Sequence, residues 1–140
     1  MLIAILAFLG FADATFLSLE YYLNFNVPCG LTGGCDTVLQ SKYATVGPLP
    51  TALFGVIYYL AILILAVGYL TSENKSIRTL ISIFYITTLG LLASIGLVYL
   101  QLFVIRAICV YCMISATITL LLFLTSAFLI NRIRKPEFRL

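Results

Sequence analysis

Four apolar runs, each about as long as a bilayer is thick, constrain this chain more than any other feature. Crossing the hydrocarbon takes roughly 20 apolar residues in helical form. Runs of that kind fit residues 2–23, 51–70, 79–105 and 107–131, to within a few positions. Backbone polar groups find no water in lipid, so each run is expected to be a helix and the four to pack as a bundle. Composition agrees. The 140 residues are 63% hydrophobic and 9% charged, with a mean hydropathy of +1.16, which no ordinary soluble domain shows. The expected fold class is an all-α membrane protein: a four-transmembrane-helix bundle forming a single domain, with a short capping helix in the first outer loop.

The basic residues suggest an orientation. Lys75 and Arg78 lie between the second and third runs, and Arg132, Arg134, Lys135 and Arg139 follow the fourth, leaving only Lys42 and Arg106 on the other side. The positive-inside rule then puts both termini in the cytoplasm, with the chain expected in a cell inner or plasma membrane. The net charge of +3 flanks spans and forms no patch, so nucleic acid is not an expected partner. Leu2–Gly10 followed by Ala12-Asp13-Ala14 resembles a secretory signal with a cleavage site, but the start lacks a basic region and a retained helix is expected. Asp13 falls mid-span, where an ionisable group is costly. Bonding to Thr15 or to a helix backbone is the plainer expectation; handling a proton is the alternative. Glu20 is expected at headgroup level. In the third run Thr87, Thr88, Gly90, Ser94 and Gly96 are small residues that let helices approach closely.

With this orientation all four cysteines face outward, where disulfides persist. Cys29 and Cys35 lie in the loop 24–50, and Cys109 and Cys112 open the fourth run, which Arg106 alone separates from the third. Cys109-Val110-Tyr111-Cys112 has the spacing of a redox dithiol. Positions i and i+3 share a helix face, and the free N–H groups of a helix start favour thiolate. Gly30, Gly33 and Gly34 make the first cysteine loop supple. The stretch from Asp36 to Ser41 suits a short surface helix capped by the acid, and Gly47-Pro48-Leu49-Pro50 turns the chain back into the membrane. Four cysteines allow three pairings. Two structural disulfides and a four-thiolate zinc site stand beside the redox relay, although an oxidising face disfavours zinc, and no metal is expected. The chain has no histidine, so protons must move through thiols, carboxylates, tyrosines or water. In a relay, the exposed pair meets a soluble protein dithiol and the helix-start pair meets a lipid-soluble acceptor. Protein dithiols span roughly −270 to −120 mV, below a ubiquinone-like acceptor, so electrons would run downhill.

With these residues in hand, the chain resembles the vitamin K epoxide reductase family, especially its bacterial and archaeal members. The match rests on four spans, Cys29-x5-Cys35, Asp36-x-Val38-Leu39-x-Ser41-x-Tyr43-Ala44, the stretch from Gly47 to Gly55, and Cys109-x-x-Cys112. The resemblance implies a four-helix bundle around a quinone, with Cys112 next to the quinone and Cys109 exchanging with a loop cysteine. It implies Cys35 as the shuttle to Cys109 and Cys29 as the contact with a separate thioredoxin-like protein. Ser41, Phe54 and Tyr58 match positions lining the family's pocket. The animal enzymes bond the quinone through an Asn and a Tyr, where this chain has Thr51 and Ala116. Thr51 can donate and Ala116 cannot, which favours a respiratory quinone of ubiquinone or menaquinone type over vitamin K epoxide. The implied activity is a quinone-linked thiol oxidoreductase supporting disulfide bond formation. Two competitors remain. The other quinone-linked disulfide-forming membrane family carries its C-x-x-C in the first outer loop. A non-enzymatic tetraspan with structural disulfides would leave the C-x-x-C idle, and the absence of Trp argues against its loop signature.

Overall fold

The computed structural model describes residues 1–23, 34–72 and 76–134. Cys29, Lys75, Lys135 and Arg139 lie outside the described residues, as do the side chains of Asp36 and Arg134. The helices are α1 (Leu2–Leu23), the short α2 (Gly34–Leu39), α3 (Thr51–Thr71), α4 (Ile77–Tyr99) and α5 (Val110–Arg134). Four of them are long and apolar enough to cross a membrane, the third span running from Ile77 to Ile105. The chain is an integral membrane protein built as a helical bundle.

The four long helices close into a ring: α1 packs on α3 and α5, and α4 packs on α5 and α3. Small residues let them approach. Ala7, Gly10 and Ala14 form part of the buried face of α1, and a Cβ on Gly55 of α3 would meet that of Ala14 at 3.3 Å. The ring of Tyr59 lies over Gly10 and that of Tyr58 over Gly90, leaving no room for a side chain at either glycine. Gly96 has open space around it and takes no part in helix approach. Residues such as Phe8, Ile64, Leu89 and Phe128 turn outward, as expected where lipid is the solvent.

Buried hydroxyls tie the bundle together. Thr87 of α4 and Ser126 of α5 pair at 3.1 Å. The Tyr59 hydroxyl reaches across from α3 to α5, meeting the Ser115 carbonyl at 2.9 Å, the Ser115 hydroxyl at 2.8 Å and the Thr119 hydroxyl at 2.9 Å. Thr88 instead bonds back to the Phe84 carbonyl of its own helix.

Two boundaries differ from expectation, and both concern the cysteines. The third span does not end as an α-helix: Leu100–Ile105 winds as a π-helix. Arg106 then takes a left-handed conformation with φ 55°, which a right-handed helix of L-residues cannot continue. The linker is therefore 106–109 instead of Arg106 alone, and α5 begins at Val110, not near 107. Likewise α2 starts at Gly34, so Asp36 falls inside its first turn and is not its cap. After α2, Thr45–Val46 and Leu49–Pro50 form a miniature antiparallel pair. Gly47 supplies the positive φ of 65° that its two-residue turn requires.

Candidate active site

Cys109 occupies the position just before the first residue of α5, where its carbonyl accepts the Met113 N–H at 3.1 Å. Its side chain therefore meets the unsatisfied N–H groups of the first turn. The Cys112 thiol donates to the Cys109 sulfur and draws the Cys109 pKa down to about 7. Burial opposes that shift, the N–H groups of Cys112 and Tyr111 reinforce it, and the Glu20 carboxylate opposes it. Cys109 and Cys112 are both free thiols, whereas Cys35 is in a disulfide.

α2 brings the other cysteine in. Gly34 sits against the backbone of Ile108, where a Cβ would lie 2.7 Å from the carbonyl oxygen. Cys35, Val38 and Cys109 form one buried cluster, with Ile105, Tyr111 and Cys112 packed on it. Tyr111 in turn meets Phe16 of α1, ring centroids 5.5 Å apart.

On the bundle side of Cys112 lies a cavity of about 380 Å³, within the size range of small-molecule sites. Its wall is mostly apolar and draws on α1, α3, α4, α5 and the segment after α2. Cys112 lines it and Cys109 does not. Ser41, Thr51, Phe54 and Tyr58 all line it as well, so the structure brings these four to one place beside Cys112. Two of them are occupied with local structure. The Ser41 hydroxyl donates to the Val38 carbonyl at 2.7 Å, closing the end of α2, and that of Thr51 reaches the Tyr43 carbonyl at 3.4 Å. Phe54 and Tyr58 supply ring surface. The Tyr58 hydroxyl lies near Thr119 but is buried without a hydrogen bond of ordinary geometry among the described residues.

Three further polar residues border the dithiol or the cavity. Gln101 is buried in the π-helical turn, accepts the Cys109 N–H on Oε1 at 3.2 Å and turns its amide toward the Cys112 sulfur. Its sequence signal is a lone amide in an apolar run. Glu20, expected among headgroups, is buried in the bundle close enough to act on Cys109; it is on the inward face of α1, the side that also carries Leu17. Asp13 lines the cavity. Thr15 does not occupy it, since the Thr15 hydroxyl donates to the Phe11 carbonyl at 2.7 Å.

A dithiol at the head of a membrane helix, its Cys109 buried, with another cysteine packed on one side and an apolar cavity on the other, defines a membrane thiol oxidoreductase. The vitamin K epoxide reductase family model matches residues 1–127, and the chain belongs to that family. The chemistry of the family is linked to a quinone. Among curated proteins none matches the chain.

Proposed function

We propose that the chain passes electrons from an extracytoplasmic thioredoxin-like protein to a membrane quinone, supporting disulfide formation in secreted proteins. Electrons enter at Cys29 and Cys35, move to Cys109 and Cys112, and leave to a quinone of the ubiquinone or menaquinone type held in the cavity. One observation carries the reading: of two adjoining thiols, Cys112 borders the cavity and Cys109 packs against Cys35. The pair thus bridges the two things a relay must connect.

The chemistry runs through mixed disulfides, because a thiolate must attack a disulfide sulfur. A loop thiolate attacks Cys109 in the oxidised pair and releases Cys112. The second loop cysteine then expels Cys109, and a thiol with lowered pKa leaves faster. Phe54 and Tyr58 would hold the quinone ring by shape, with Ser41 and Thr51 fixing the segment that closes the cavity. Among the described residues no cationic side chain lines the cavity, which suits a neutral ligand.

The test supplies a reduced thioredoxin-like protein and a soluble quinone to the protein in detergent and follows quinone absorbance. Wild type should reduce quinone, and Cys29→Ala, Cys109→Ala and Cys112→Ala should each lose protein-driven turnover. A small dithiol should restore turnover to Cys29→Ala but not to Cys112→Ala. Loss of thermal stability in the variants, with no quinone reduction by wild type, would instead make the cysteines structural.

A further inference from the structure

Asp13 sits halfway along the first membrane span, where a carboxyl is expensive and marks a polar task. It lines the cavity that Cys112 borders, and its Oδ2 is buried without a hydrogen-bond partner among the described residues. Its neighbours are otherwise engaged: Thr15 bonds Phe11, and the Tyr59 hydroxyl is committed to Ser115 and Thr119. The titratable groups sharing the cavity are Tyr58 and Tyr59 on α3, Cys112 on α5, Tyr21 on α1 and Tyr43 ahead of α3. Glu20 lies two turns further along α1, α4 lines the cavity with no titratable side chain, and no Lys or Arg among the described residues lines the wall.

Proton accounting gives Asp13 its task. With Cys109 as thiolate and Cys112 as its hydrogen-bond donor, the reduced pair holds two transferable electrons but one proton. A quinone takes up two of each to become quinol. We propose that Asp13 is a catalytic acid of this cavity: its carboxylic acid hydrogen-bonds a quinone carbonyl and delivers the second proton. This rests on the reading of the cavity as a quinone site.

The step balances. The Cys109–Cys112 S–S bond forms as the S–H bond of Cys112 breaks, and two electrons pass to the quinone. One proton comes from Cys112 and one from Asp13, one to each quinone oxygen. The negative charge that began on Cys109 ends on Asp13, and a proton from water restores the acid before the next quinone.

The experiment mixes pre-reduced full-length protein in detergent with a soluble quinone in a single turnover, for wild type, Asp13→Asn and Asp13→Glu. Asn keeps the shape and a hydrogen bond but has no proton to give up. General acids contribute about 10²–10⁴-fold, so Asp13→Asn should slow quinol formation by about 10²-fold or more. Quinone affinity and exchange of the Cys109–Cys112 disulfide with dithiothreitol should stay close to wild type. The wild-type rate should fall at alkaline pH as the acid is lost, Asp13→Glu should show such a limb at a shifted pH, and Asp13→Asn should lack it. If Asp13→Asn does not fold, Asp13→Glu decides: a shifted alkaline limb supports the role and an unchanged profile overturns it. Quinol formation by Asp13→Asn at the wild-type rate overturns this inference alone. A wild type that exchanges thiols but reduces no quinone overturns the quinone site and this inference together.

Discussion

Gly34 is the point where the segment carrying Cys35 touches the segment carrying Cys109, and replacing it by Ala perturbs that contact selectively. A Cβ at Gly34 would lie 2.7 Å from the Ile108 carbonyl oxygen and 3.0 Å from its nitrogen, where ordinary contact begins at 3.4 Å. Both are backbone atoms, so no side chain can swing aside. The two cysteine-bearing segments must part by several tenths of an ångström. Ala gains up to about 1 kcal/mol over Gly inside a helix, but Gly34 is the first residue of α2, where that gain is least. Overpacking costs about 1–3 kcal/mol. The clash therefore wins, with a net loss of about 1–2 kcal/mol. The kinetic effect is larger in proportion. A 1 Å misplacement can cost about 10²-fold, so a shift of roughly half that should slow protein-driven turnover about tenfold. Quinone reduction driven by a small dithiol, which reduces Cys109 and Cys112 directly, should be unaffected. Both rates are read from quinone absorbance in detergent. Equal loss of the two rates, or no loss of either, would refute the contact as the route between the pairs.

Other outcomes follow from the same geometry. The ultraviolet thiolate signal of Cys109, taken as the difference between wild type and Cys109→Ala, should rise through a midpoint of about 7. Removing its donor in Cys112→Ala should move that midpoint up, and a wild-type midpoint near the ordinary thiol value of about 8.5 would contradict the account. Tyr59→Phe deletes the hydroxyl that joins α3 to Ser115 and Thr119. Hydrogen bonds between membrane helices are worth about 0.6 kcal/mol on average and up to ~1.7, so unfolding in micelles should show a loss of about 1–2 kcal/mol; no loss would show that the cluster is bypassed. Gly90→Val drives a side chain into the Tyr58 ring and should push that ring into the cavity. KM for quinone should then rise more than kcat falls, and an unchanged KM would remove Tyr58 from the wall.

The spans are legible because hydropathy over twenty residues averages out local ambiguity, and α1 matches its expected bounds residue for residue. The cysteine spacing and the neighbouring motifs identify the family. Faces are not legible. A helix apolar all round, surrounded by lipid, carries no periodic signal for its inward side, so Glu20 reads as peripheral in sequence although it is buried. The start of α5 is hidden for a different reason. Apolarity continues from the third span through Arg106 to the fourth, and only the left-handed turn at Arg106 and the π-helical segment before it break the helix. Neither has a composition signature. Gln101 gives no sign of its role because its partners, Cys109 and Cys112, are brought to it by that same turn.

In the proposed function the Cys109–Cys112 pair gives its electrons to a quinone through Cys112. The most direct measurement mixes fully reduced protein with one equivalent of quinone, with no other thiol present, and counts quinol formed against free Cys109 and Cys112 by alkylation and mass spectrometry. One quinol is expected for each Cys109–Cys112 disulfide formed, and none from Cys112→Ala. Quinol formed by Cys112→Ala at the wild-type rate, or a Cys109–Cys112 pair that stays reduced in the presence of quinone, would contradict that transfer.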